Sequence, residues 1–199
     1  MSVRLGSIAI KGLFLGANEL KKIYLGNNLI YQKIGYVDIE FSSCPFPSSW
    51  KEVTAGVEYN ATNDYGEWKC TATSFYSTNS ANRAFDQNNS TAFTSADLSS
   101  DSAITSIEID CPNIIKPTSL YVYIAQIKTA TIKGLNENNE WEQIGTISRT
   151  GTKTGHTLNV STDKYFSKFK IEMTRYGSSN KRQSVYEFQI KSGTLRKEN

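Results

Sequence analysis

Asn82-Arg83-Ala84-Phe85-Asp86-Gln87-Asn88-Asn89-Ser90-Thr91-Ala92-Phe93-Thr94-Ser95 runs from a short apolar anchor into a turn crowded with side-chain oxygens. Asp and Asn bond their own backbone and tolerate left-handed angles, so the polar run Asp86 to Asn89 predicts a compact loop. Such a loop can turn carbonyl and carboxylate oxygens inward, which is the donor set a hard cation such as calcium takes. An ordinary surface turn, with Phe85 and Phe93 plugging a core on either side, accounts for the same residues.

Outward from this turn the chain reads as short strands. Trp68–Ala72, Ser106–Cys111, Leu120–Ile124, Ala130–Leu135, Trp141–Ile144, Phe169–Met173 and Val185–Ile190 alternate apolar with polar residues and are separated by turn signals. With no sustained helical periodicity, this spacing predicts an all-β sandwich. Alternation places Ile107, Ile109 and Cys111, then Phe169, Ile171 and Met173, then Tyr186, Phe188 and Ile190 inward, and the charged residues between them outward.

Composition agrees: 38% hydrophobic, 12% aromatic and 21% charged residues suit a globular domain rich in strand and turn formers. A net charge of +3, with Lys and Arg scattered except for Lys181-Arg182 and the tail Arg196-Lys197-Glu198-Asn199, offers no basic stripe for phosphates, so nucleic acid is not an expected partner. No leader pattern opens the sequence and no apolar run reaches the roughly 20 residues of a membrane span, so synthesis in the cytoplasm without membrane insertion is expected. Cys44, Cys70 and Cys111 are too few and too dispersed for a disulfide framework and read as packed free thiols.

The N-terminal stretch repeats itself. Leu13-Phe14-Leu15-Gly16-Ala17-Asn18-Glu19-Leu20 recurs ten positions later as Ile23-Tyr24-Leu25-Gly26-Asn27-Asn28-Leu29, and each copy reads as strand, tight turn, strand. Residues 1–34 therefore form a predicted β meander, too small to be stable without a packing partner. Residues 35–58 read as an extended connector broken by Pro45 and Pro47, residues 59–193 as the sandwich, and 194–199 as a flexible tail.

Several motifs in this order carry a resemblance: Ala72-Thr73-Ser74-Phe75-Tyr76-Ser77-Thr78-Asn79, the stretch Ala81 to Phe93, Ile107-Glu108-Ile109-Asp110 before Pro112, Ile132 to Asn136 before Trp141, and Val185 to Ile190. Together they resemble the discoidin, or factor V/VIII C-type, family, whose galactose-binding-like jelly-roll β-sandwich also occurs in many bacterial carbohydrate-binding modules. The resemblance implies a structural calcium held by Asp86, Asn89, Thr91 and Glu187 with backbone carbonyls near Arg83. In two places this chain departs from the family pattern, Gln87 standing for a usual Gly and Phe93 for a usual Trp. It also implies sugar recognition in loops at one end, with Tyr76 and Asn79 in the first loop and Arg175 and Tyr176 in the last as candidates.

No catalytic constellation is evident: His156 lacks a recognisable nucleophile, and Glu137, Glu140 and Glu142 sit in one hairpin rather than across a cleft. A binding module is expected rather than an enzyme. The N-terminal repeat resembles anchoring segments of bacteriophage tail, baseplate or head-fibre proteins. It implies a virion protein that attaches to other virion proteins through residues 1–34, is a homo-oligomer, and presents the sandwich to host cell-surface glycans. A structural virion part without glycan binding and a non-phage carbohydrate-binding module are the alternatives.

Overall fold

The computed structural model describes residues 35–100, 102–177 and 181–198, with backbone alone at 149–150 and in six short strands between residues 3 and 32. Those six, β1 (Val3–Leu5), β2 (Ile8–Ile10), β3 (Phe14–Leu15), β4 (Asn18–Glu19), β5 (Lys22–Leu25) and β6 (Asn28–Gln32), pair as three antiparallel two-stranded sheets. The two copies of the repeat supply β3–β4 and β5–β6. Their turns and side chains, through which attachment is expected, lie outside the described residues.

The chain divides into two compact units, Met1–Val37 with Lys197–Asn199, and Asp38–Arg196. The second holds β7 (Tyr36–Phe41, from Asp38), β8 (Lys51–Thr54), β9 (Glu58–Asn63), β10 (Gly66–Ala72), a 3-10 turn (Ala81–Ala84), β11 (Phe93–Thr94), β12 (Ile104–Ala125), β13 (Ile127–Asn136), β14 (Trp141–Thr150), β15 (Thr154–Asn159), β16 (Phe166–Arg175) and β17 (Ser184–Glu198, to Arg196). Its organising element is β12, 22 residues long. In the row β14-β13-β16-β12-β10-β9-β8, Ile104–Asp110 pair with β16 and Ile107–Asp110 also with β10; Ile115 bridges Phe166 of β16 and Leu195 of β17, Ile114–Ala125 pair with β17, and Ser119–Ile124 also with β15. The strand thus leaves one antiparallel layer at Cys111–Asn113 and enters the other, which is how a sandwich turns its corner. Two segments expected as separate strands are one. Proline lacks an N–H for the ladder, and the register shifts immediately after Pro117, with Gly193 opposite it.

Alternation sorts the core as expected at Ile107, Ile109, Phe169, Ile171, Met173, Phe188 and Ile190, all at most 1% exposed. Tyr186 departs from the expected inward face. A register shift between Tyr123 and Ile124 makes Tyr186 the extra residue opposite them, so Val185 and Phe188 fill the core. The Tyr186 ring instead stands 5.2 Å from that of Tyr123 under the Lys153 ammonium. Cys111 is half-buried at the core margin.

The expected connector contributes strand and core from residue 38 onward. Phe46, 3% exposed, packs its ring at 5.3–6.0 Å from those of Trp68, Phe85 and Phe188. Prolines exclude regular structure there but not burial. Nor are residues 194–198 a free tail: β17 runs to Glu198, Leu195 is buried, Thr194 Oγ1 donates to Glu40 (2.6 Å), and Arg196 grips both Asp38 oxygens (2.7 and 2.9 Å). On the outer face of the longer layer, Lys133–Glu172, Lys170–Glu108, Lys168–Asp110 and Lys69–Glu58 pair across neighbouring strands at 2.6–3.0 Å. That face satisfies its own charges, which directs attention to the loops.

Candidate functional site

The turn at Asp86 is built from two successive side-chain turns: Asp86 Oδ1 accepts the Asn88 N–H (3.0 Å) and Asn88 Oδ1 accepts the Ser90 N–H (3.0 Å). Thr91 Oγ1 closes it, 2.8 Å from Asp86 Oδ2 and 3.0 Å from the Asn88 carbonyl. Gln87 takes φ 59°, the left-handed angle that glycine adopts freely, so the turn is formed without the glycine. Its side chain reaches the other way, Nε2 donating to the Phe46 carbonyl at 2.6 Å. Asn89 is exposed at the tip.

Glu187, a hundred residues on, faces this turn. It is 0% exposed, and neither carboxylate oxygen makes a hydrogen bond within the protein. Burial, and then repulsion from Asp86, push its carboxyl up to about 8, against a smaller opposing pull from the Gln87, Asn88 and Phe188 backbone N–H groups. Neither oxygen meets hydrogen-bond geometry with those N–H groups, so both stay bare inside the protein. Asp86 is also raised by burial, with Thr91 and Asn88 opposing. Two desolvated carboxyls, one of them raised by the charge of the other, are chemically suited to a shared cation, which would neutralise both. Among the described residues no three His, Cys, Asp or Glu side chains cluster, so carbonyl and hydroxyl oxygens would have to complete any shell.

The first expected sugar loop is ordered by Gly56. Its φ is 71° and an added Cβ would fall 2.2 Å from the Phe75 ring, so only glycine admits that ring. Beyond Phe75, Tyr76 and Asn79 form an isolated bridge; Tyr76 is 42% exposed, and Asn79 donates through Nδ2 to Thr94 Oγ1 (3.1 Å) and accepts from Arg83 (3.3 Å). Arg182 lies over the Tyr76 ring with Cζ 3.3 Å from its centroid, and its Nε donates to Asp97 at 2.6 Å. Of the last-loop candidates, Arg175 is only 9% exposed and donates to the Leu98 carbonyl (3.1 Å), while Tyr176 is half-buried over Gly151. The structure thus joins Tyr76 and Asn79, ties Arg175 to the Leu98 segment, and adds Arg182 and Asp97, neither of which the sequence placed at a ligand site. A separate groove of about 460 Å³ on β8 and β9 is lined by Trp50, Val53, Asn60 and Glu67.

No family profile matches the sequence, and no curated protein is recognisably similar to it. Solved structures are. The chitosan-binding module 1 of a Paenibacillus sp. IK-5 chitosanase/glucanase is 19% identical, with TM-score 0.51 over 63% of this chain and 92% of that one. The family 32 carbohydrate-binding module of Clostridium perfringens NanJ, solved with galactose, is 17% identical, with TM-score 0.50 over 71% and 100%. The C-terminal domain of a Bacteroides fragilis chitobiase is 19% identical, with TM-score 0.53 over 68% and 98%. At these identities the likeness shows the fold, a galactose-binding-like β-sandwich.

Proposed function

We propose that the chain is a glycan-binding module whose ligand site is the loop cluster of Tyr76, Asn79, Asp97 and Arg182. The observation that carries this reading is the exposed aromatic and guanidinium pair on a sandwich whose solved neighbours include modules that bind chitosan and galactose. A sugar needs paired donors and acceptors beside an apolar surface, and this cluster supplies both. Glycan-array binding that free sugar competes away, with Tyr76 and Asn79 amides shifting in NMR, is the expected result. A silent array and unmoved amides would sink it.

In the same reading Asp86, Thr91 and Glu187, with Asn89 and neighbouring carbonyls, hold a structural calcium. Support comes from the bare, buried Glu187 oxygens beside Asp86. The ion would supply charge neutralisation, while Gln87 and Thr91 hold the turn in place. Calcium added to chelator-treated protein should raise the melting temperature, and Glu187→Gln should remove that response.

Placement on a bacteriophage virion, as a homo-oligomer attached through residues 1–34 to other virion proteins, is the finer part of the proposal. It is supported by the ten-residue repeat that supplies β3–β4 and β5–β6. Its test is localisation of the chain in purified particles by labelled antibody, together with the mass of the isolated chain.

A further inference from the structure

Resting on the glycan-binding reading above, we propose that Arg182 is the anchor for a carboxylate-bearing sugar, a uronic or sialic acid unit, at the Tyr76 loop. Two contacts fix this guanidinium before any ligand arrives: the Tyr76 ring face beneath it at 3.3 Å and Asp97 at its Nε. The segments that carry the pair are themselves joined. Ser95 N–H donates to the Gln183 carbonyl (2.9 Å), Leu98 N–H to the Lys181 carbonyl (2.9 Å), and Gln183 N–H to Ser95 Oγ (3.1 Å).

With Nε occupied, the two terminal nitrogens of Arg182 remain. Neither makes a hydrogen bond among the described residues, and the side chain is 37% exposed. Stacking sets the plane in which this pair donates, so little freedom is left to lose on binding. A carboxylate accepts two parallel hydrogen bonds from such a fork, and each is stronger for being charged at both ends; a sugar hydroxyl cannot match that geometry. Arg83, bonded to Asn79, brings a second guanidinium to the same loops, whereas Asp97 brings one carboxylate that is already turned to Nε. Arg182 also covers one face of Tyr76, so that face serves the guanidinium rather than a sugar ring.

The test is calorimetric titration of the full chain at low salt with digalacturonate, its dimethyl ester, N-acetylneuraminic acid and galactose. An acid should bind about tenfold tighter than the neutral ester or galactose, and added salt should narrow the gap. The tighter of the two acids identifies the source of the carboxylate. Arg182→Gln should erase the preference for acid without changing the far-ultraviolet circular dichroism, and Arg182→Lys should keep only part of it, since an ammonium lacks the fork. Equal binding of acid and ester, or a preference that survives Arg182→Gln, overturns the proposal. Galactose binding with no acid binding overturns it while leaving the glycan reading intact; no binding by any of the four also overturns it, and the glycan array then decides the reading it rests on.

Discussion

Gln87 and Glu187 show how single residues set the turn. Gln87 pays a left-handed backbone angle and gains a hydrogen bond to the carbonyl of a buried residue. Gln87→Ala keeps the strained angle and loses the bond, for an expected loss of about 1–2 kcal/mol. Gln87→Gly relieves the angle and should lose less, an ordering that urea denaturation of the two variants will read. Glu187 makes stability depend on pH in metal-free protein. Its carboxyl is raised from an ordinary 4.5 to about 8 in the folded state, so across that interval the fold holds the proton that the unfolded chain releases. Stability is therefore fully present below about 4.5 and falls as pH rises through about 8. Melting temperatures in chelator should drop between these values, and Glu187→Gln should flatten the slope; a flat wild-type profile would contradict the burial argument.

At the level of elements, strands that keep a two-residue period on one face were legible: β10, the first half of β12, and β16 declare their inward residues in the sequence. Legibility ended where a bulge adds a residue: Tyr186 is the extra one and leaves the core, Val185 before it takes an inward place, and Phe188 and Ile190 after it keep theirs. The bulge after Pro117 depends on Gly193, where an added Cβ would lie 2.4 Å from the Lys116 carbonyl oxygen. Gly193→Ala should force β12 and β17 apart and cost about 1–3 kcal/mol, as overpacking does. By contrast, Lys69→Met removes a surface pair 2.6 Å long from Glu58 and should cost less than about 1 kcal/mol in the same thermal melts.

For the whole molecule, the sequence boundary at residue 59 and the observed unit beginning at Asp38 make different predictions. A chain of residues 38–199 should unfold cooperatively, whereas 59–199 lacks Phe46, the partner of Gln87 and Trp68, and should show no cooperative melt by calorimetry. The connector was misread because two prolines and a tryptophan declare an irregular backbone and say nothing about what the intervening phenylalanine touches. The turn at Asp86 and its pairing with Glu187 came from ordered motifs along the whole chain. Arg182 over Tyr76 could not be seen, since no local pattern links residues a hundred positions apart. The sheet-crossing strand β12 carries a last consequence, for dynamics. One continuous backbone belongs to both layers, so neither can open while the other stays intact. Amides on either side of the Cys111–Asn113 corner should then exchange with solvent through a single global event, at one common rate-limiting free energy.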